Sequence, residues 1–117
     1  MPVMKVVDKR RNTKKRTGNL TRLQVKKIVD AIENALQKED IPFYIYSLGK
    51  YMDECVCLEY ESGKWIVYHG HRGYKIREKI FDSAYEAGLC LFSSVAINDE
   101  QLRAMRISLR RDLRELL

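Results

Sequence analysis

Glu54-Cys-Val-Cys-Leu-Glu-Tyr60, Glu61-Ser-Gly-Lys64 and Trp65-Ile-Val-Tyr-His-Gly70 read together as one β-hairpin, the centre of the expected sheet. The flanking runs, 54–60 and 64–70, are rich in β-branched and aromatic residues, and Ser-Gly at the tip suits a two-residue turn. Closing the turn at Glu61 and Lys64 sets Tyr60 opposite Trp65, Leu58 opposite Val67 and Val56 opposite His69. These six share one face. Glu59, Cys57 and Cys55 stand against Ile66, Tyr68 and Gly70 on the other. The first face is the more apolar, so it is the expected core side.

Before the hairpin, Phe43-Tyr-Ile-Tyr-Ser-Leu48 reads as a strand and 49–53 as a loop. After it, His71-Arg-Gly-Tyr74 reads as a turn with Gly73 at positive φ, and 75–80 as a short, charged edge strand. Helices flank the sheet. Thr21-Arg-Leu-Gln24 is a capping box, with Leu20 and Val25 at the staple positions. Leu20, Leu23, Ile28, Ile32 and Leu36 then recur at helical spacing. That helix is expected to stop near Glu39, because Pro42 disfavours helical geometry at Ile41. Asp82 or Ser83 caps a second helix, with Ser83-Ala-Tyr-Glu86 as another capping box. Asn98-Asp-Glu-Gln101 opens a third, whose apolar stripe is Leu102, Met105, Leu109, Leu113 and Leu116, surrounded by Arg103, Arg106, Arg110, Arg111 and Arg114. The order α-β-β-β-(β)-α-α predicts an α+β fold, an antiparallel sheet of three to four strands with helices packed on one face.

Charge is spread unevenly over the 117 residues. Residues 1–27 hold ten Lys/Arg and one Asp, whereas the other ninety hold twelve Lys/Arg and fifteen Asp/Glu. Residues 1–18 therefore read as a flexible basic arm and 19–117 as one domain, because dense like charge with little apolar area does not favour ordering. No apolar run approaches the roughly 20 residues of a membrane span, and the N-terminus lacks the pattern of a secretory signal. Three cysteines in no regular framework read as reduced thiols, so the expected location is the cytoplasm.

Four kinds of site compete. Cys55-x-Cys57 and His69-x-His71 suggest a Cys₂His₂ metal set, but the predicted register sends both cysteines to one face and His69 to the other. A one-residue slip would reunite them; otherwise they are half-buried thiols and exposed imidazoles, and no metal or cofactor is expected. No nucleophile elbow, metal-binding helix pair or phosphate loop is present, so no enzyme activity is expected. The arm offers Lys5, Lys9, Arg10, Arg11, Lys14, Lys15 and Arg16 to nucleic-acid phosphates. The element order also matches a double-stranded-RNA-binding domain superficially, but its second helix would start on the acidic Phe81-Asp-Ser-Ala-Tyr-Glu86. Finally, residues 28–61 hold eight Asp/Glu against Lys38 and Lys50. Of these, Asp53, Glu54, Glu59 and Glu61 fall on or beside the hairpin, with Tyr68 expected as an exposed aromatic among them. That face suits a basic protein partner, though acidic residues also simply solvate a sheet.

Tyr46-Ser-Leu-Gly49, Cys57-Leu-Glu-Tyr60, Gly63-Lys-Trp-Ile-Val-Tyr68, Arg72-Gly73 and Phe81-Asp-Ser83 with Glu86-Ala87 form, in that order, a set that resembles small bacterial immunity proteins of polymorphic toxin systems, specifically the immunity protein 59-like family. The resemblance covers about residues 28–97. The basic arm and the arginine-rich third helix lie outside it. It implies a cytoplasmic, non-enzymatic antitoxin that binds a cognate toxin, often a nuclease with a basic cleft, and occludes its active site. Charge and facing then nominate Asp53, Glu54, Glu59, Glu61 and Tyr68 as partner contacts, with His69, His71 and Arg72 at the rim. The alternative is a small RNA- or DNA-binding accessory protein acting through Lys9, Arg10, Arg11, Lys14, Lys15 and Arg16. A third possibility is a homodimer formed through the open edge at 75–80.

Overall fold

The computed structural model describes residues 19–116. The arm at 1–18, with its candidate phosphate-binding residues, lies outside them. Helix α1 spans Arg22–Lys38, strands β1 to β4 span Tyr46–Leu48, Val56–Glu61, Lys64–His71 and Tyr74–Phe81, and helices α2 and α3 span Ala84–Val95 and Asp99–Leu116. The chain is α+β: a four-stranded sheet in the order β1-β2-β3-β4, with the helices on one face.

Each helix begins where a side chain satisfies its free N–H groups. Thr21 and Gln24 form the reciprocal box of α1, Ser83 accepts from the Glu86 N–H at α2, and Asn98 accepts from the Gln101 N–H at α3. Helix α1 buries Ile28, Ala31, Ile32, Ala35 and Leu36, one face of a 3.6-residue repeat. Leu23, expected on that stripe, is 60% exposed. Helix α2 packs across β2, β3 and β4, while α3 packs on α1 and α2. The α1–α3 pair is antiparallel. The Gln101 amide donates to the Glu39 carbonyl (3.0 Å) at one end, and Leu116 joins Leu20, Leu23 and Ile28 around a small cavity at the other.

The hairpin has the predicted register: Val56 opposite His69, Leu58 opposite Val67, Tyr60 opposite Trp65. Ser62 and Gly63 both take positive φ (54° and 81°), as do Arg72 and Gly73 (51° and 84°). That pattern is the primed turn whose twist matches two-residue hairpins. Leu58, Trp65 and Val67 meet Ile32, Leu36, Leu91, Phe92, Met105 and Leu109 in one core. A side chain as large and as buried as Trp65 contributes at least ~1.5–3 kcal/mol by its burial. The Tyr60 ring packs on Trp65 (centroids 4.8 Å apart), and its hydroxyl accepts from the Leu20 N–H (2.9 Å), tying the hairpin to the start of α1.

Three expectations need correction. The sheet is mixed rather than antiparallel, because β1 pairs with β2 in parallel, Tyr46 beside Val56 and Leu48 beside Leu58. A parallel return normally needs a long crossover, but β1 has only three residues and spans about 10 Å, which the loop at 49–55 can retrace. The expected strand at 43–48 is half 3₁₀ turn, Phe43–Ile45, which follows directly from Pro42. Strand β4 is longer than expected and bulged: between Ile76 and Lys79, opposite Val67–His69 of β3, it carries an extra residue, and Arg77 takes φ 55°.

Candidate protein interface

The face of the sheet away from the helices is not open. The loop at 49–55 folds over it and makes a second small core of Cys55, Cys57 and Tyr68, lined by Tyr51 and Ile66. Tyr68 is 1% exposed, so the expected exposed aromatic is a buried one. The facing was right, but the loop covers it. The Tyr51 ring stacks on Tyr68 (centroids 6.2 Å apart, 14° between planes), and Lys75 Nζ lies 4.9 Å from the Tyr68 ring centre. The Tyr68 hydroxyl donates to Glu59, and Lys75 sits 3.8 Å from the same carboxylate. Burial first, and then the Glu59 bond, push the Tyr68 phenol far above its ordinary range. Glu59 is therefore engaged within the sheet.

The loop is fastened at several points. Gly49 N–H donates to the Leu58 carbonyl (2.7 Å), and the Ser47 hydroxyl donates to the Lys50 carbonyl (2.8 Å). The Met52 carbonyl presses against Gly70, where a β-carbon would stand 2.3 Å away. Glu54 N–H donates to the Gly70 carbonyl (2.8 Å) and Gly70 N–H to the Cys55 carbonyl (2.9 Å). At the sheet's end the loop meets the β3–β4 turn. Gly73 N–H donates to both Tyr51 Oη (2.8 Å) and Asp53 Oδ1 (3.0 Å), and the Tyr51 hydroxyl donates to Asp53 (2.6 Å). The Tyr51 bond first, then the Gly73 N–H, hold the Asp53 carboxyl below the usual carboxylate range. Glu54 takes φ 58°, and its carboxylate meets His71 Nδ1 at 2.8 Å.

The nominated residues therefore divide. Asp53, Glu54, His71 and Arg72 come together at this end, exposed on well-fixed backbone. Glu61 lies at the opposite end, beside Lys64, a strand length of roughly 17–20 Å away. His69 points to the helix side. There it joins Val56, Val67, Arg77, Lys79 and Cys90 around a cleft of about 640 Å³. The acidic face is not one continuous patch.

The cysteines belong to the covered core. Cys55 Sγ lies 3.2 Å from the Tyr44 carbonyl and Cys57 Sγ 3.5 Å from the Met52 carbonyl. Burial first, then neighbouring negative charge, push the Cys55 thiol up, so it is a poor thiolate. Both cysteines face away from His69, and among the described residues no three His, Cys, Asp or Glu side chains gather where they could hold a metal ion. Nor is any described helix long and apolar enough to cross a membrane.

The sequence reading missed three side chains at the loop end. Phe43 is 81% exposed and Tyr44 67%, their rings edge-to-face at 5.8 Å, and Met52 is also exposed. The Tyr44 carbonyl under Cys55 fixes the aromatic pair to the same end as Asp53 and Glu54. Adjacent aromatics directly after Pro42 were the available signal, since neighbouring strand residues point to opposite faces and at most one of them could be inward.

Comparisons of the chain with protein-family models, with curated proteins and with solved structures return no match.

Proposed function

We propose that this chain is a non-enzymatic antitoxin that binds a cognate bacterial toxin and occludes its active site. The resemblance to immunity proteins supplies the class. The observation that carries the reading is the pairing of an exposed aromatic pair, Phe43 and Tyr44, with an acidic loop whose backbone is already fixed. Interfaces draw most of their energy from a few aromatic anchors with a polar surround, and a pre-ordered loop loses little entropy on binding. Asp53 and Glu54 supply the negative charge that a nuclease's phosphate-holding cleft attracts. Tyr68 acts indirectly, as the floor on which Tyr51 and the loop rest.

The test is protection. The chain is co-expressed with toxic C-terminal domains taken from large secreted bacterial proteins. The unaltered chain is expected to rescue growth. Phe43→Ala with Tyr44→Ala is expected to abolish rescue, while Glu61→Ala, at the far end of the sheet, keeps it. Rescue that survives the double substitution would remove the proposed interface.

A further inference from the structure

Helix α3 turns a row of arginines outward. Arg103, Arg106, Arg110 and Arg114 are all exposed, spaced three or four residues apart, so they follow one face over about 16 Å of axis. Among the described residues none of the four is ion-paired with a carboxylate: Arg111 pairs with Asp112, whereas Arg110 instead lies over the Tyr85 ring (5.2 Å) and donates to its hydroxyl (2.9 Å). The antiparallel packing of α1 and α3 brings the end of this row close to the first two turns of α1, where Arg22 and Lys27 are exposed. Residues 1–18, outside the described residues, carry seven further Lys/Arg in the sequence.

We infer that this helical surface binds the phosphate backbone of a nucleic acid. A regular series of forked, permanently charged donors matches a regularly repeating anion, and guanidinium grips phosphate in two-point fashion. A protein partner would need an apolar centre, and along the arginine row itself Ile107 is the one large exposed apolar side chain among the described residues, with Leu23 and Leu116 off the row at its α1 end. The surface belongs to the helical layer and the candidate protein interface to the far side of the sheet, so either site stands or falls alone.

Fluorescence anisotropy of the full chain with labelled single-stranded RNA and, separately, duplex DNA tests this, between about 50 and 200 mM salt. Affinity is expected to fall steeply with salt, and the better-bound probe identifies the strand type. Arg106→Gln, Arg110→Gln and Arg114→Gln together should weaken binding ~10- to 100-fold and flatten the logarithmic salt slope by about 2–3. The matching Arg→Lys triple should retain most of the slope, which separates charge from any loss of fold. Replacing Lys9, Arg10, Arg11, Lys14, Lys15 and Arg16 with Ser should leave a weaker binding that still responds to the α3 substitutions. The inference is overturned if the Gln triple binds as the unaltered chain does, if no nucleic acid binds at the lowest salt, or if polyglutamate competes as well as an unlabelled oligonucleotide.

Discussion

Gly70 and Met52 touch backbone to backbone: a β-carbon on Gly70 would stand 2.3 Å from the Met52 carbonyl oxygen and 3.1 Å from the Tyr51 ring. Neither neighbour can retreat, because Met52 lies between the bonds that fasten Lys50 and Glu54, and Tyr51 is stacked on Tyr68. Gly70→Ala is expected to cost about 1–3 kcal/mol, the usual effect of overfilling a packed site, and to lift the loop at 49–55 off Tyr68. Urea denaturation gives the stability and near-ultraviolet circular dichroism the tyrosine packing. An unchanged midpoint with an unchanged tyrosine signal would contradict the contact.

The small core and the loop end beside it make stability depend on pH in both directions. The folded state holds the Tyr68 proton more tightly than the unfolded chain, which releases it near pH ~10. The stabilisation is therefore complete below that pH and is lost as pH rises beyond it. Asp53 behaves oppositely: its folded carboxyl is depressed, so its contribution is present above about pH 4 and is lost as pH falls below that. Denaturant midpoints across pH should show Tyr68→Phe flattening the alkaline decline and Asp53→Asn the acid one. An alkaline limb unaltered in Tyr68→Phe would mean that the phenol is not buried against Glu59.

Gly88 marks where α2 and α3 press together. A β-carbon there would stand 2.5 Å from Leu109 Cδ2 and 3.8 Å from Ile32. Helix propensity alone would make Gly88→Ala favourable by about 1 kcal/mol. Overpacking a fully buried leucine costs about 1–3 kcal/mol, so net destabilisation is expected. Pairing the change with Leu109→Val should recover part of the loss, and a double-mutant cycle reads that coupling. Strict additivity would place the two residues out of contact.

What the sequence disclosed and what it withheld divide along the range of the forces involved. The capping box at Thr21, the Ser83 N-cap and the register of Tyr60 against Trp65 rest on neighbours a few residues apart or on one tight turn, and these are as expected, although Ser83 caps α2 without the reciprocal Glu86 bond. The facing of Tyr68 was legible from the two-residue period, but its burial was not, because the cover comes from a loop with no period at all. Gly70 inside an otherwise apolar strand was the trace of that cover, since glycine there marks a close approach of another backbone. The parallel pairing of β1 was hidden for the same reason: a strand of three residues is too short to need the long crossover that signals a parallel neighbour. Among the candidate contacts, Asp53, Glu54, His71 and Arg72 could be found by charge and turn chemistry. Phe43 and Tyr44 read as strand residues, and only the 3₁₀ turn after Pro42 puts both rings outside.

The proposed interface is tested by hydrogen–deuterium exchange of the chain alone and mixed with the toxin domain that it protects against in the growth assay. Slowed exchange is expected at residues 43–54 and at the β3–β4 turn, 71–74, with α3 unchanged. Protection confined to α1 and α3, with the loop at 49–55 exchanging as in the free chain, would contradict it.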